Sequence, residues 1–180
     1  MSARARIEAQ LWSRVTEIPD WPEPGVLFRD LTPLLADPDT FSASVDLMAV
    51  EIGRGCVDEV VAIEARGFPY GAALAYHLGA GFITLRKPGK LPGPVDAQAY
   101  DLEYGTASLE LQTDVLRPGR RVVIVDDVLA TGGTACAAVE LVRRAGASVE
   151  AVAVIMDLPG LGGSARLRAM GITVRALLSA

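Results

Sequence analysis

A chain of 180 residues, 51% apolar and 22% charged, is long enough for one globular domain with a substantial core. Its formal net charge of −5, with arginines scattered and no basic stripe, argues against a nucleic-acid partner. The N-terminus carries Arg4, Arg6 and Glu8 and no long apolar run, so neither a signal peptide nor a membrane span is expected, and the expected location is cytoplasmic.

In chain order, Ile7, Leu11, Val15 and Ile18 are spaced like one face of a helix, which predicts a helix from Ala3 to Ile18. Asp20 to Pro33, with three prolines and Gly25, reads as an irregular loop. A second helix is expected from about Asp39 to Ile52, capped by Asp37 or Asp39. Val60 to Ile63 reads as a buried strand, Gly67 to Leu78 as a helix and Gly81 to Leu85 as another strand. Ala99 to Tyr104 and Thr106 to Gln112 flank Gly105 and suggest a bent strand pair. Val122 to Val125 is a strand buried on both faces, followed by a helix from Thr134 to Ala145. Ser148 to Met156, Gly163 to Met170 and Thr173 to Leu177 then read as strand, short helix and strand. Alternating strands and helices imply an α/β fold, a parallel, doubly wound sheet in a single domain, with residues 1–35 as a hood over its edge and 36–180 as the core.

The most informative segment is Val122 to Thr134. Buried parallel strands end at the edge where α/β proteins bind ligands, and here that edge carries Asp126 and Asp127. Ala130, Thr131, Gly132, Gly133 and Thr134 follow, all small or hydroxylated, so the backbone can approach a phosphate and aim N–H groups at it above a helix N-terminus. Each charge-assisted hydrogen bond there contributes roughly 1.5–3 kcal/mol. Two carboxylates would repel a bare phosphate, so they are expected to face vicinal ribose hydroxyls or a hydrated Mg²⁺. A ribose 5-phosphate fits both halves.

Other phosphate motifs fail. The only Gly-Lys, Gly89-Lys90, is followed by Leu91 and cannot be a Walker loop. Gly160-Leu161-Gly162-Gly163-Ser164-Ala165 imitates a dinucleotide fingerprint, but no acid-ended strand follows about 20 residues later. A second anion site is expected at Glu64-Ala65-Arg66-Gly67-Phe68, where Arg66 and the N–H groups around Gly67 could hold pyrophosphate; the alternative is a solvated Glu64–Arg66 pair. Of 17 basic residues only Lys87 and Lys90 are lysines, both in a Pro/Gly-rich loop suited to following a leaving pyrophosphate as it closes. Cys56 and Cys136 have no second pair, which argues against a zinc knuckle or disulfide framework, and both are expected to be small buried residues. His77 is expected on the surface near a helix end.

The Val122–Thr134 segment resembles the phosphoribosyl pyrophosphate (PRPP) signature of the type I phosphoribosyltransferases. Pro22-Glu23-Pro24-Gly25-Val26-Leu27-Phe28-Arg29-Asp30, Glu64 to Phe68, Arg86 to Pro92 and Leu102-Glu103-Tyr104-Gly105 are similar to the adenine phosphoribosyltransferases, so that the resemblance covers residues from about 19 to 145. It implies a PRPP site made of Arg66, Gly67, Lys87, Lys90, Asp126, Asp127 and Ala130 to Thr134. It also implies an adenine site between Phe28 and Val128, with the backbone of Leu27 and Arg29 reading the base edge. The same resemblance implies Glu103 as the acid/base group, with Arg66, Asp126 and Asp127 as its catalytic companions and Tyr104 in a closing loop within about 87–105. Mg²⁺ would be carried by substrate and water rather than by direct protein ligands, and a homodimer is implied. An extended backbone presents a C=O and an N–H on one side, matching adenine's amino donor and ring-nitrogen acceptor, whereas hypoxanthine would set an oxygen against a carbonyl. The family's charged Lys-Gly-Arg-like stretch is replaced by Leu161 to Arg166, which is expected to affect the C-terminal helix and dimer surface but not the nucleotide site. A phosphoribosyltransferase for an oxopurine, or a non-catalytic PRPP sensor, are the competing functions; no lysine follows Lys90 to hold an oxopurine oxygen, and the short N-terminus leaves no room for a DNA-binding helix-turn-helix.

Overall fold

Ser2 caps helix α1 (Ala3–Trp12), its hydroxyl accepting from the Ala5 N–H at 3.1 Å. The expected continuation to Ile18 does not form in the computed structural model, which describes residues 2–101 and 106–180. Val15, Thr16 and Ile18 are β-branched and Pro19 follows, so the chain turns extended as strand β1 (Thr16–Pro19). The segment read as irregular contains strand β2 (Leu27–Asp30), antiparallel to β1 with Ile18 opposite Phe28, and the start of helix α2 (Thr32–Ala36). Pro22 and Pro24 are confined to the turn, leaving the residues after Gly25 free to pair. Asp37, rather than Asp39, caps helix α3 (Pro38–Ile52) by accepting from the Thr40 N–H at 3.0 Å.

Strand β3 (Glu59–Ile63), helix α4 (Gly67–Leu78) and strand β4 (Gly81–Leu85) form the first parallel unit. The hairpin of β5 (Val95–Asp101) and β6 (Thr106–Gln112) starts earlier than expected and occupies part of the segment expected to be a mobile loop. The reason is tertiary: β6 is anchored by buried Leu109 and Leu111, and it offers a partner along its whole length, down to Val95 opposite Gln112. Strand β7 (Arg121–Leu129), helix α5 (Gly133–Arg144), strand β8 (Ser148–Asp157), helix α6 (Gly163–Ala169) and strand β9 (Val174–Ser179) complete the chain.

The five parallel strands lie in the order β4-β3-β7-β8-β9. Side-chain alternation splits the apolar runs between two layers. Val61, Ile63, Val122, Ile124, Val152 and Val154 pack with Ala138, Leu141 and Leu167 of α5 and α6. Val60, Val123, Val125, Ala153 and Ile155 pack with Leu11, Met48, Tyr70 and Leu74 of α1, α3 and α4. Both faces are therefore covered, and burying each Val, Leu or Ile contributes about 1.5–3 kcal/mol. Within residues 1–35, Leu11 of α1 is fully buried in the second layer, while Phe28 of the β1–β2 hairpin stands beside Arg66. Neither cysteine is buried, contrary to expectation. Cys56 is exposed in the glycine-rich turn before β3, and Cys136 is only half-buried.

Candidate active site

The chain leaves β3 toward β4 on one side and leaves β7 toward β8 on the other, so the direction of winding reverses between β3 and β7. Doubly wound sheets bind ligands in the crevice at such a reversal. The two segments singled out in the sequence, Glu64 to Phe68 and Asp126 to Thr134, are the turns that flank it. Gly67 makes their approach possible: a Cβ there would lie 2.6 Å from the Val125 carbonyl oxygen and 3.1 Å from the Asp126 Cα.

Strand β7 continues through both acids to Leu129, so they lie within the strand rather than beyond it, and successive residues serve opposite faces. Asp126 lines a cavity of about 90 Å³ with Val128, Ala130, Thr131, Gly132 and Thr134. Asp127, 4% exposed, lines a separate cavity of about 70 Å³ with Asp30, Leu31, Thr32, Arg66 and Tyr70. Burial pushes the Asp126 carboxyl well above the ordinary carboxylate range, and the charge of Asp127 pushes it the same way. Burial raises Asp127 as well, against the pull of Arg66. The Asp127 N–H donates to Asp126 Oδ1 at 2.9 Å, and the Val128 N–H to Asp127 Oδ1 at 2.8 Å.

Arg66 links these turns to the hairpin. Its Nε lies 2.8 Å from Asp127 Oδ2, and its guanidinium carbon stands 5.9 Å from the Phe28 ring centroid. Phe28 is held edge-on by Trp21, with centroids 4.3 Å apart. The Val26 carbonyl accepts from the Trp21 N–H at 3.3 Å and so faces β1. Alternation along an extended strand turns the peptide groups of Leu27 and Arg29 to the opposite edge of β2, which has no partner strand among the described residues. Val128 lines the phosphate-side cavity and is half-buried.

In the phosphate loop, the N–H groups of Thr131, Gly132, Gly133 and Thr134 donate to no acceptor among the described residues, and Gly132 takes φ +82° to turn into α5. Unpaired donors converging at a helix start are what an anion needs.

Glu64 pairs with Arg86 and not with Arg66. Its Oε2 accepts from the Lys87 N–H at 2.9 Å and from Arg86 Nε at 3.2 Å. The Arg86 guanidinium also stands over Phe68, 5.9 Å from the ring centroid, and Gly89 N donates to Glu110 at 3.0 Å. The base of the lysine loop is thus tied to the second turn, while Lys87 and Lys90 themselves are exposed, with no ion pair among the described residues. The Lys87 N–H, then Arg86, hold the Glu64 carboxyl below its usual range. Its stabilising contribution is therefore present above the unfolded value of about 4.3 and is lost as pH falls through the lowered folded value. Glu64→Ala is expected to cost about 1 kcal/mol at pH 7 and less under acid conditions, read as the difference in melting temperature between variant and parent across pH.

Sequence reasoning missed Tyr70, Asp30 and Thr32. Tyr70 follows Gly67 by one helical turn, a spacing that could have flagged it; its buried hydroxyl has no partner among the described residues, and burial together with Asp127 raises its pKa. Asp30 accepts from the Thr32 N–H at 2.9 Å and hydroxyl at 2.6 Å, which lowers its pKa. Leu161 to Arg166 was expected to leave the nucleotide site alone, yet Gly163 and Arg166 both touch the phosphate loop. Glu103 and Tyr104 lie outside the described residues. His77 is at the end of α4, with Nε2 3.1 Å from Asp46 Oδ1. No cluster of three or more His, Cys, Asp or Glu side chains among the described residues could hold a metal, and none of the described helices is long and apolar enough to cross a membrane.

A family model described as the phosphoribosyl transferase domain matches residues 47–163, a span that contains both turns flanking the crevice. The chain belongs to that family, in the branch of the adenine phosphoribosyltransferases. It is 49% identical to the adenine phosphoribosyltransferase of Methylorubrum extorquens strain PA1 over 97% of this chain and 96% of that protein. It is 52% identical to the one from Streptomyces coelicolor over 99% of this chain and 100% of that protein. The crystal structure of adenine phosphoribosyltransferase from Rhodothermus marinus superposes with a TM-score of 0.91 at 43% identity, covering 98% of this chain and 99% of that one. The Saccharomyces cerevisiae enzyme, solved with an imino-altritol bisphosphate and adenine, superposes with a TM-score of 0.90 at 35% identity, covering 97% and 99%.

Proposed function

We propose that the chain transfers the 5-phosphoribosyl group of PRPP to adenine, giving AMP and pyrophosphate, a purine-salvage reaction. The observation that carries this reading is the unpaired backbone edge of Leu27 and Arg29 beside Phe28, across from Arg66, Asp126 and Asp127.

The 5-phosphate sits on the free N–H groups of Thr131 to Thr134, with Ala130 small enough to admit it. Asp126 and Asp127 take the ribose hydroxyls, and Arg66 with the amides at Gly67 faces pyrophosphate. Adenine stacks between Phe28 and Val128, its amino group donating to a backbone carbonyl of β2 and a ring nitrogen accepting from a backbone N–H. The bond from the anomeric carbon to the pyrophosphate oxygen breaks through an oxocarbenium-like state while the purine nitrogen closes on that carbon from the opposite face. The electron pair leaves with pyrophosphate, whose charge Arg66, Lys87 and Lys90 offset, and Glu103 takes the purine-ring proton. The two adjacent acids, one buried and one half-buried, have raised pKa values and a single arginine beside them, a donor set that suits a Mg²⁺ carried by the substrate and reached through hydroxyls or water. That ion, when bound, neutralises charge on the pyrophosphate. The family reading also extends to a cytoplasmic homodimer.

The test is pyrophosphate release from PRPP and Mg²⁺ with adenine, hypoxanthine, guanine or xanthine supplied separately. Adenine is expected to be preferred by roughly 10³-fold or more, because an oxopurine leaves two buried acceptors facing each other. Turnover with an oxopurine would overturn the base assignment, and no turnover with any base would favour a PRPP sensor.

A further inference from the structure

The glycine-rich turn that imitates a dinucleotide fingerprint has another use. It carries the chain from β8 into α6 and lies directly against the phosphate loop. The Gly163 N–H donates to the Ala130 carbonyl at 3.0 Å, and Arg166 Nη1 donates to the Thr131 carbonyl at 3.1 Å. The two loops are in backbone contact: a Cβ on Gly163 would lie 2.3 Å from the Ala130 oxygen and 2.9 Å from the Gly132 nitrogen, and a Cβ on Gly132 would lie 2.8 Å from the Gly163 Cα.

These two bonds act on consecutive peptide units. Neither unit is cis, and in a planar trans peptide the C=O and the following N–H point in opposite directions. Holding the Ala130 carbonyl toward Gly163 therefore turns the Thr131 N–H away from it. Holding the Thr131 carbonyl toward Arg166 does the same for the Gly132 N–H. Both N–H groups lack any acceptor among the described residues, and both residues line the cavity that Asp126 shares. Without the two bonds, each peptide plane could rotate about its flanking dihedrals, and at Gly132 the barrier to that rotation is lowest.

We infer that the turn Gly162–Arg166 is a brace that aims the phosphate loop, with Gly163 and Arg166 as positioning residues for the 5-phosphate of the substrate. The inference rests on the phosphoribosyl-transfer reading. It gives the segment in which this chain departs from the family's charged stretch a task at the nucleotide site. Because the brace acts on the ground-state phosphate contacts and not on the reacting carbon, it governs binding of phosphoribosyl ligands and leaves the bond-breaking step alone. Pyrophosphate, held on the opposite side of the crevice by Arg66, is outside its reach.

The experiment uses the full chain. Arg166→Ala is expected to raise the KM for PRPP about tenfold, with kcat within about twofold and the KM for adenine unchanged. Calorimetric affinity for ribose 5-phosphate is expected to fall by the same factor, while affinity for pyrophosphate stays. Arg166→Lys, which restores one donor, recovers part of the loss, and Arg168→Ala on the same short helix changes none of these values. Gly163→Ala produces a larger loss of ribose 5-phosphate affinity; should that variant not fold, the arginine variants decide. Unchanged ribose 5-phosphate affinity in Arg166→Ala would overturn the brace, as would an equal loss for ribose 5-phosphate and pyrophosphate, the mark of a merely structural role. A parent chain that binds ribose 5-phosphate but makes no nucleotide from adenine counts against the adenine reading, and the affinities alone then decide the brace.

Discussion

Asp126→Asn is expected to make the ligand-free protein more heat-stable and nearly inactive. The wild-type Asp126 is half-buried beside a second, buried acid, and its pKa is raised by desolvation and by Asp127. An acid with a raised folded-state pKa ionises more readily in the unfolded chain, so its penalty appears as pH rises from the unfolded value of about 3.9 toward the folded one, and it is complete above both. Asparagine mimics the protonated form and keeps an oxygen for the Asp127 N–H, which donates to Asp126 Oδ1 at 2.9 Å. A higher melting point than the parent is expected at pH 8, the difference closing as the pH is lowered toward 4. Activity should move the other way. The charge that destabilises the empty site is the one that the ribose hydroxyls and a substrate-borne cation would compensate, so kcat/KM is expected to fall on the order of 10²–10³-fold. Melting curves of both proteins between pH 4 and pH 8, with initial rates at pH 8, check both halves. A variant that melts lower at every pH would show that the acid is compensated within the protein.

Gly67→Ala is expected to be the most damaging single-methyl change in the site. The added Cβ would meet the Val125 carbonyl oxygen at 2.6 Å and the Asp126 Cα at 3.1 Å, both backbone atoms in the centre of the sheet. No flexible side chain can yield, so α4 must move away from β7. Overpacking of this kind costs about 1–3 kcal/mol or more. The functional loss should exceed what the stability loss predicts, because the same displacement carries Arg66, whose Nε stands 2.8 Å from Asp127, away from the crevice. A misplacement of about 1 Å in such a site is worth on the order of 10²-fold in rate. Denaturant unfolding and steady-state kinetics on the same preparation separate the two effects. A folded, stable variant with full activity would show that the helix is free to shift.

The parts of this architecture that were legible in the sequence are those in which one segment carries its own instruction. The Val122–Val125 run, the small residues after it and the glycine at the head of α4 each state a local conformation, and the structure places them as read. Where pairing with a distant segment chooses the conformation, the sequence misled. Ile18 fits a helical spacing, yet it belongs to an extended stretch whose partner lies beyond two prolines. The beginning of β5 is set by how much of β6 it can pair with, and Val95 carries no sign of this.

The candidate site divides the same way. Sequence by itself marked out Asp126 and Asp127, the small residues Ala130 to Thr134 and Arg66, because an anion site needs small residues in consecutive order and this need is written along one stretch of chain, while Leu27 to Arg29 stood out only through the family resemblance. Only the tertiary structure decided that Asp126 and Asp127 line separate cavities, that Glu64 is taken up by Arg86, that Tyr70 and Asp30 complete the crevice, and that Gly163 and Arg166 bear on the phosphate loop. Each of these is a contact between residues far apart in the chain or on opposite faces of one strand. The physical reason is that local backbone preference can be read from neighbouring side chains, whereas the partner of a charge or a carbonyl is set by which strand edges the winding of the sheet brings together.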